Sequence, residues 1–146
     1  LGFAIGFHPD GSTYFTNGVF KVEFLTPEKG KGIDKAVYIK GLQVSATPLR
    51  YLQMLCDQPV SIRIDDYTLS IPEPWVFAYH KILISKARRV ASKREKDLLQ
   101  AVAILREIKK RPKELKKARS YLKTLPAPWV RQIKKQLEDK LPGFVE

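Results

Sequence analysis

Residues 72–105 read PEPWVFAYHKILISKARRVASKREKDLLQAVAIL. Pro72 and Pro74 mark a helix start, because proline fits before or at the first turn of a helix and not inside it. From Trp75 the apolar residues recur at helical spacing. Trp75, Val76, Tyr79, Ile82, Leu83, Ala87 and Val90 share one broad face at about 100° per residue. That spacing predicts a first helix with Lys81, Ser85 and Arg88 nearly opposite. After a short basic turn, residues 93–110 predict a second amphipathic helix with Leu98, Ala101, Val102, Leu105 and Ile108 on its buried stripe. The two form a helical pair. The rest of the chain reads as the sheet it packs on and a basic helical tail.

The polar residues of the pair carry the chemistry. Lys81 and Arg88 are seven residues apart, on one line two turns long. Such a row is either a solvated charged face or a set of cations aimed at a phosphate chain. Lysine suits the second role as a point charge and arginine as a fork. Asp97 shares a line with Ala101, Ile104 and Ile108. A carboxylate at the edge of an apolar stripe must find a partner or stay wet. It reads as a clamp on Arg88, Arg89 or Lys81, or as a carboxylate that orients the lysine or contacts a ligand, and these roles are compatible. His80 sits beside the apolar face without a Cys/His cluster of metal spacing, and reads as a packed residue.

The first half of the chain predicts strands. Residues 2–7 and 12–16 flank the turn Pro9-Asp10-Gly11. Asn17-Gly18 predicts a two-residue hairpin turn, since both residues tolerate positive φ. Residues 19–25 alternate, with Phe20, Val22 and Phe24 on one side and Lys21 and Glu23 on the other. The expected product is an antiparallel meander with one buried face. Residues 28–35 read as a polar loop without P-loop spacing. Residues 36–39 and 42–44 read as short strands, and Pro48 as the start of a helix through Cys56, itself expected to be buried. Residues 60–64 and 67–71 predict a hairpin. Beyond Lys110, helices are expected over 113–124 and 129–141. The fold class is therefore α+β, with an antiparallel or mixed sheet from the N-terminal half packed against a C-terminal helical bundle. The expected division is a β-rich part, 1–72, and a basic helical part, 73–146.

Charge separates the halves. Residues 1–80 hold 7 Lys/Arg and 8 Asp/Glu, whereas residues 81–146 hold 20 and 7. The asymmetry points to a polyanionic partner for the helical half. One cysteine excludes an internal disulfide. No apolar run approaches the roughly 18 residues of a membrane span, and residues 1–7 lack the basic start and long apolar core of a signal peptide.

One set of residues in the pair carries a family resemblance. Pro72, Pro74, His80, Lys81, Arg88 or Arg89, Lys96, Asp97, Leu98, Gln100 and Ala101 follow the pattern P-x-P, H-K-x-L, R, K-D-L-x-Q-A. This resembles the C-terminal half of a nucleotidyltransferase-fold family of the DNA polymerase β superfamily, related to the abortive-infection toxins of the AbiE type. It covers roughly residues 19–105. The resemblance implies that Lys81 contacts a nucleoside triphosphate, helped by Arg88 and Arg89, and that Asp97 shapes the site. Lys81 and Asp97 are then the candidate catalytic residues.

It also assigns a metal ligand. Val22-Glu23-Phe24-Leu25-Thr26-Pro27 is similar to the V-D-F-L-T-P context of the family's third carboxylate, so Glu23 stands at that position as a glutamate. The implied cofactor is Mg2+ or Mn2+ with the NTP. Without the resemblance, Glu23 reads as an exposed strand residue paired to Lys21 or a cross-strand cation. The family's first two carboxylates form a D-x-D pair after a Gly-Ser loop. No such pair precedes Glu23; Gly11-Ser12 leads into a strand, and Asp65-Asp66 are adjacent in a turn and diverge.

The expectation is thus the C-terminal portion of a partial nucleotidyltransferase fold. The parent protein would move a nucleotidyl group from an NTP to an acceptor hydroxyl, and this portion alone would be inactive, since one carboxylate cannot hold a two-metal geometry. The implied setting is bacterial-type and cytoplasmic, with an RNA or protein acceptor, a cognate antitoxin-like partner and no membrane. The alternative is a basic nucleic-acid-binding module without catalysis. A third reading is a fold kept only for protein contacts.

Overall fold

The computed structural model describes residues 2–28, 35–88 and 90–145. The chain is α+β, with short strands first and helices after them. Its contacts divide it into two units, Leu1–Leu52 and Gln53–Glu146.

The first unit begins with a meander. β1 (Ala4–Phe7), β2 (Thr13–Thr16) and β3 (Lys21–Glu23) pair antiparallel in the order β1-β2-β3. The turn after β1 is set by Asp10, whose carboxylate accepts hydrogen bonds from the Ser12 hydroxyl and amide. Those bonds hold the Asp10 carboxyl below its usual range. The turn at Asn17-Gly18 differs from expectation. Only Gly18 takes positive φ, 86°. Thr16 pairs with Lys21, so four residues lie between them. The Asn17 side chain accepts the amides of Val19 and Phe20, which makes the turn an Asx-stabilised loop and removes the need for positive φ at Asn17.

The strand expected over 19–25 is divided at Phe24. β4 (Leu25–Pro27) leaves the meander and joins a second sheet with β5 (Val37–Ile39) and β6 (Val44–Leu49), in the order β4-β6-β5. β4 runs parallel to β6, and β5 antiparallel. Pro48 therefore lies in a strand and does not open a helix. It pairs with Thr26, at a position where its missing N–H is tolerated. The buried positions of this unit are Ser12, Thr13, Val44 and Ala46. The expected apolar face is not buried: Phe20 is 68% and Val22 47% exposed. Alternation predicted which residues share a face, but not what covers it.

The second unit opens with α1 (Met54–Asp57), a single turn that buries Met54 and leaves Cys56 exposed, against expectation. The short turn aims Met54 inward and Cys56 outward. β7 (Pro59–Ile64) and β8 (Tyr67–Pro72) form the expected hairpin, with Asp65 at φ 51° in its two-residue turn. Four helices follow: α2 (Pro74–Ser85), α3 (Ala91–Lys109), α4 (Pro112–Thr124) and α5 (Ala127–Glu138). Proline lies in the first turn of α2, α4 and α5, where its absent N–H has no helical partner to lose.

α2 is the centre of this unit. It packs on α1, α3, α4 and α5, so it is covered nearly all round. Trp75, Val76, Ala78, Tyr79, His80, Ile82, Leu83, Ile84 and Ser85 are all buried. This corrects the expected amphipathic helix with a solvated side. The helix ends at Ser85, so Ala87 and Val90 lie beyond it. Ser85 turns its hydroxyl back to the Ile82 carbonyl and needs no water. The Tyr79 hydroxyl donates to the Ala118 carbonyl of α4; burial pushes its pKa up and keeps it protonated. Gln132 of α5 donates to the Leu83 carbonyl. Leu141 and Phe144 are buried too, and Arg119 and Lys109 donate to the carbonyls of Pro142, Gly143 and Phe144, latching the chain end to α3 and α4.

These burials set an expected contrast. Leu105 is fully buried, so Leu105→Ala should lower unfolding stability by about 2–5 kcal/mol in urea titration. Phe20→Ser, on the exposed turn, should stay within about 0.5 kcal/mol.

Candidate functional site

α2 contains one charged residue, Lys81. A lone ammonium in a helix covered by four others must be paired, because a partly buried charge without a partner is costly. The partner is Asp97, in the second turn of α3. Lys81 Nζ donates to Asp97 Oδ1 at 2.7 Å, and Arg88 Nε donates to Oδ2 at 2.9 Å. One carboxylate thus holds two cations, one on each oxygen. Arg88 comes from the segment after α2, not from a continuing helix. The expected straight row of Lys81 and Arg88 is replaced by convergence on Asp97.

Exposure is graded across the cluster. The Asp97 side chain is 5% exposed, Lys81 18% and Arg88 36%. The acid is the floor and the two cations open toward water. Burial pushes the Asp97 carboxyl up, but the hydrogen bonds and charges of Lys81 and Arg88 together outweigh it. The net shift is downward. Asp97 is therefore ionised at neutral pH and acts as a fixed acceptor, not as a proton donor. Phe77, four residues before Lys81, places its ring 5.4 Å from the ammonium. Sequence reasoning missed this cation–π contact, although the i, i+4 spacing announces it. Arg89 lies outside the described residues.

Glu23 is elsewhere, on β3 in the first unit. It is 53% exposed, and His8 Nε2 donates to its Oε1 at 2.7 Å. His8 also packs on Tyr14, the cross-strand neighbour of Glu23, with ring centres 4.7 Å apart. Lys21, the nearest cation in sequence, lies over the Tyr14 ring instead, 4.3 Å from its centre. A Mg2+ ion takes near-octahedral oxygen ligation. Among the described residues, no three His, Cys, Asp or Glu side chains come together in such a set. Glu23, bonded to one imidazole, offers a single carboxylate toward a Mg2+ or Mn2+ ion.

The Lys81–Asp97–Arg88 cluster can bind an anion. Asp97 cancels one of two positive charges, uses one donor of Lys81 and engages Nε of Arg88. The remaining ammonium donors and the guanidinium fork suit phosphate oxygens. Among the described residues, no helix is long and apolar enough to cross a membrane.

A sequence-family model described as nucleotidyltransferase matches residues 8–125. That span holds Glu23 and the whole Lys81–Asp97–Arg88 cluster. No curated protein and no solved structure matches the chain.

The cluster has a pH signature. The folded-state pKa of Asp97 lies below its unfolded value near 3.9, so its contribution is complete above that value and is lost as pH falls through the folded pKa. Asp97→Asn should remove this acid-side dependence and cost about 1–3 kcal/mol at neutral pH, because the two charged donors lose their acceptor. Urea midpoints of both proteins between neutral pH and pH 3 check this.

Proposed function

The chain belongs to the nucleotidyltransferase family, and from that premise we propose that Lys81 and Arg88 bind the triphosphate of an NTP whose nucleotidyl group passes to an acceptor hydroxyl. The observation that carries the proposal is the shared carboxylate: one buried acid fixes two half-open cations side by side. Preorganised charge of this kind stabilises a phosphate chain without rearrangement when the substrate arrives.

In the transfer, the acceptor hydroxyl gives its proton to solvent, its oxygen forms a bond to the α-phosphorus, the bond from that phosphorus to the bridging oxygen breaks, and pyrophosphate departs. Negative charge grows on the leaving group as the bridge breaks. Lys81 neutralises it as a point charge and Arg88 grips two oxygens as a fork. Asp97 keeps both in place, so it is a positioning residue, and Arg89 is assigned to the same anion-binding group. The reading includes Glu23 as one oxygen ligand of Mg2+ or Mn2+. His8 occupies that oxygen here, and no step is assigned to the ion. The parent's acceptor would be RNA or a protein, with an antitoxin-like partner in a bacterial-type cytoplasm, and this portion alone would be inactive.

The test is calorimetric titration of the chain with each of the four common NTPs. Lys81→Ala should weaken binding of the preferred NTP roughly tenfold or more, equivalent to about 1.4 kcal/mol or above. Arg88→Lys should weaken it less, by losing the fork while keeping the charge. Affinity unchanged in Lys81→Ala would overturn the assignment. Binding of single-stranded RNA that falls steeply with salt, with no NTP binding, would favour the nucleic-acid module instead.

A further inference from the structure

α3 carries a second feature on another side. Leu98, Val102 and Leu99 are offset from Asp97 by roughly 100°, 140° and 200° around the helix, so they lead from beside the Lys81 cluster to the opposite side of α3. They form the floor of a cavity of about 360 Å³. Arg94, Arg106 and Lys140 line its margin, with Glu95 as the one acid. The net charge of the lining is thus positive by two.

Two facts describe this margin. First, some cations nearby are engaged. Lys110 pairs with Glu107 and Arg111 with Glu114, while Lys109 and Arg119 hold the chain end. The side chains of Arg94, Arg106 and Lys140, like those of Lys93 and Lys96 on the same helix, make no hydrogen bond or ion pair with the described residues. Second, the aliphatic floor is wet in part: Val102 is buried and Leu98 half-buried. Leu99 is 64% exposed in the middle of a well-formed helix. A large aliphatic side chain left in water between unpaired cations is a surface awaiting an apolar, acidic complement.

The spacing narrows the occupant. Arg94 and Arg106 are twelve residues apart, or about 18 Å along the helix axis. That is too far for one small anion at both and suits an elongated partner. Single-stranded nucleic acid would use aromatic side chains to stack its bases, and this lining contains none. Aliphatic anchors inserted between flanking charges are how an amphipathic helix seats in a groove.

We propose that the groove beside α3 docks an acidic amphipathic helix of a partner protein, with its aliphatic side chains on Leu98 and Leu99 and its carboxylates on Arg94, Arg106 and Lys140. This surface is independent of the Lys81 site, so the two readings stand or fall separately.

The probe is a fluorescein-labelled helical peptide with leucine at i, i+4, i+7 and i+11 and glutamate on the flanks, titrated against the whole chain by anisotropy without nucleotide. Saturable binding is expected, weakened roughly tenfold by Leu99→Ser and by Arg94→Gln with Arg106→Gln. Those positions are exposed, so circular dichroism should be unchanged. Lys113→Gln with Lys117→Gln, outside the groove, should leave binding intact. Three outcomes would overturn the proposal: no saturable binding, equal binding by a peptide of scrambled order, or equal loss in the Lys113 and Lys117 variant. So would a single-stranded oligouridylate that displaces the peptide and binds Leu99→Ser as well as the unaltered chain, since the groove would then be reading phosphate alone.

Discussion

A charge on the central helix constrains the second unit. α2 is covered by α1, α3, α4 and α5, and its apolar residues are buried among them. Within it stands one ammonium, on Lys81. Hydrophobic burial would be satisfied by several rotations of α3 against α2, because Leu98, Ala101, Val102 and Leu105 offer a wide apolar face. The ion pair is not so permissive. Lys81 donates to Asp97 at 2.7 Å, which ties the Asp97 side of α3 to α2. Arg88 then closes the connection between the helices on the second oxygen. Removing either partner leaves a costly remainder, so the pair specifies one packing among several that burial alone would allow.

The same geometry links structure to function. A cation buried only to balance an acid would be enclosed with it. Here the acid is enclosed and the cations are not: exposure rises from Asp97 through Lys81 to Arg88. The structural cost is met at the floor, and binding capacity is kept at the opening. Phe77 flanks the ammonium and limits where it can swing. The family match over residues 8–125 includes all three members of the cluster.

What was legible in the sequence follows from what is local. The hairpin over 60–64 and 67–71, the helix starts at Pro74 and Pro112, and the pairing of Asp97 with Lys81 and Arg88 are all set by short-range rules of proline, periodicity and the need to pair a charge at an apolar edge. The last helix, expected over 129–141, is Ala127–Glu138, because the prolines that read as a break, Pro126 and Pro128, lie at its start. The failures are failures of environment. Pro48 looked like a helix start because its strand partner, Thr26, is distant in sequence. Ser85 looked exposed because helical spacing does not reveal that other helices cover the polar side. Phe20 and Val22 alternate as a core strand does and yet face water. Cys56 is a hydrophobe by type and lies outward because α1 is only one turn long. The tie between His8 and Glu23 depends on cross-strand register, which the turn signals do not fix.

α3 shows how one helix divides its surface among roles that do not compete. Ala101, Val102, Leu105 and Ile108 are buried as its core stripe. Asp97 stands near one edge of that stripe and completes an ionic cluster with residues from before the helix. Leu98, half-buried, and Leu99, exposed, extend the apolar area past the other edge. A helix selected only for stability would carry polar residues where Leu99 stands, since a leucine in water contributes little to folding and raises the risk of aggregation. Leu99 and the cations around it are the part of α3 that packing within the unit leaves unused. At the Lys81 cluster, likewise, the two cations offer more donors than Asp97 accepts.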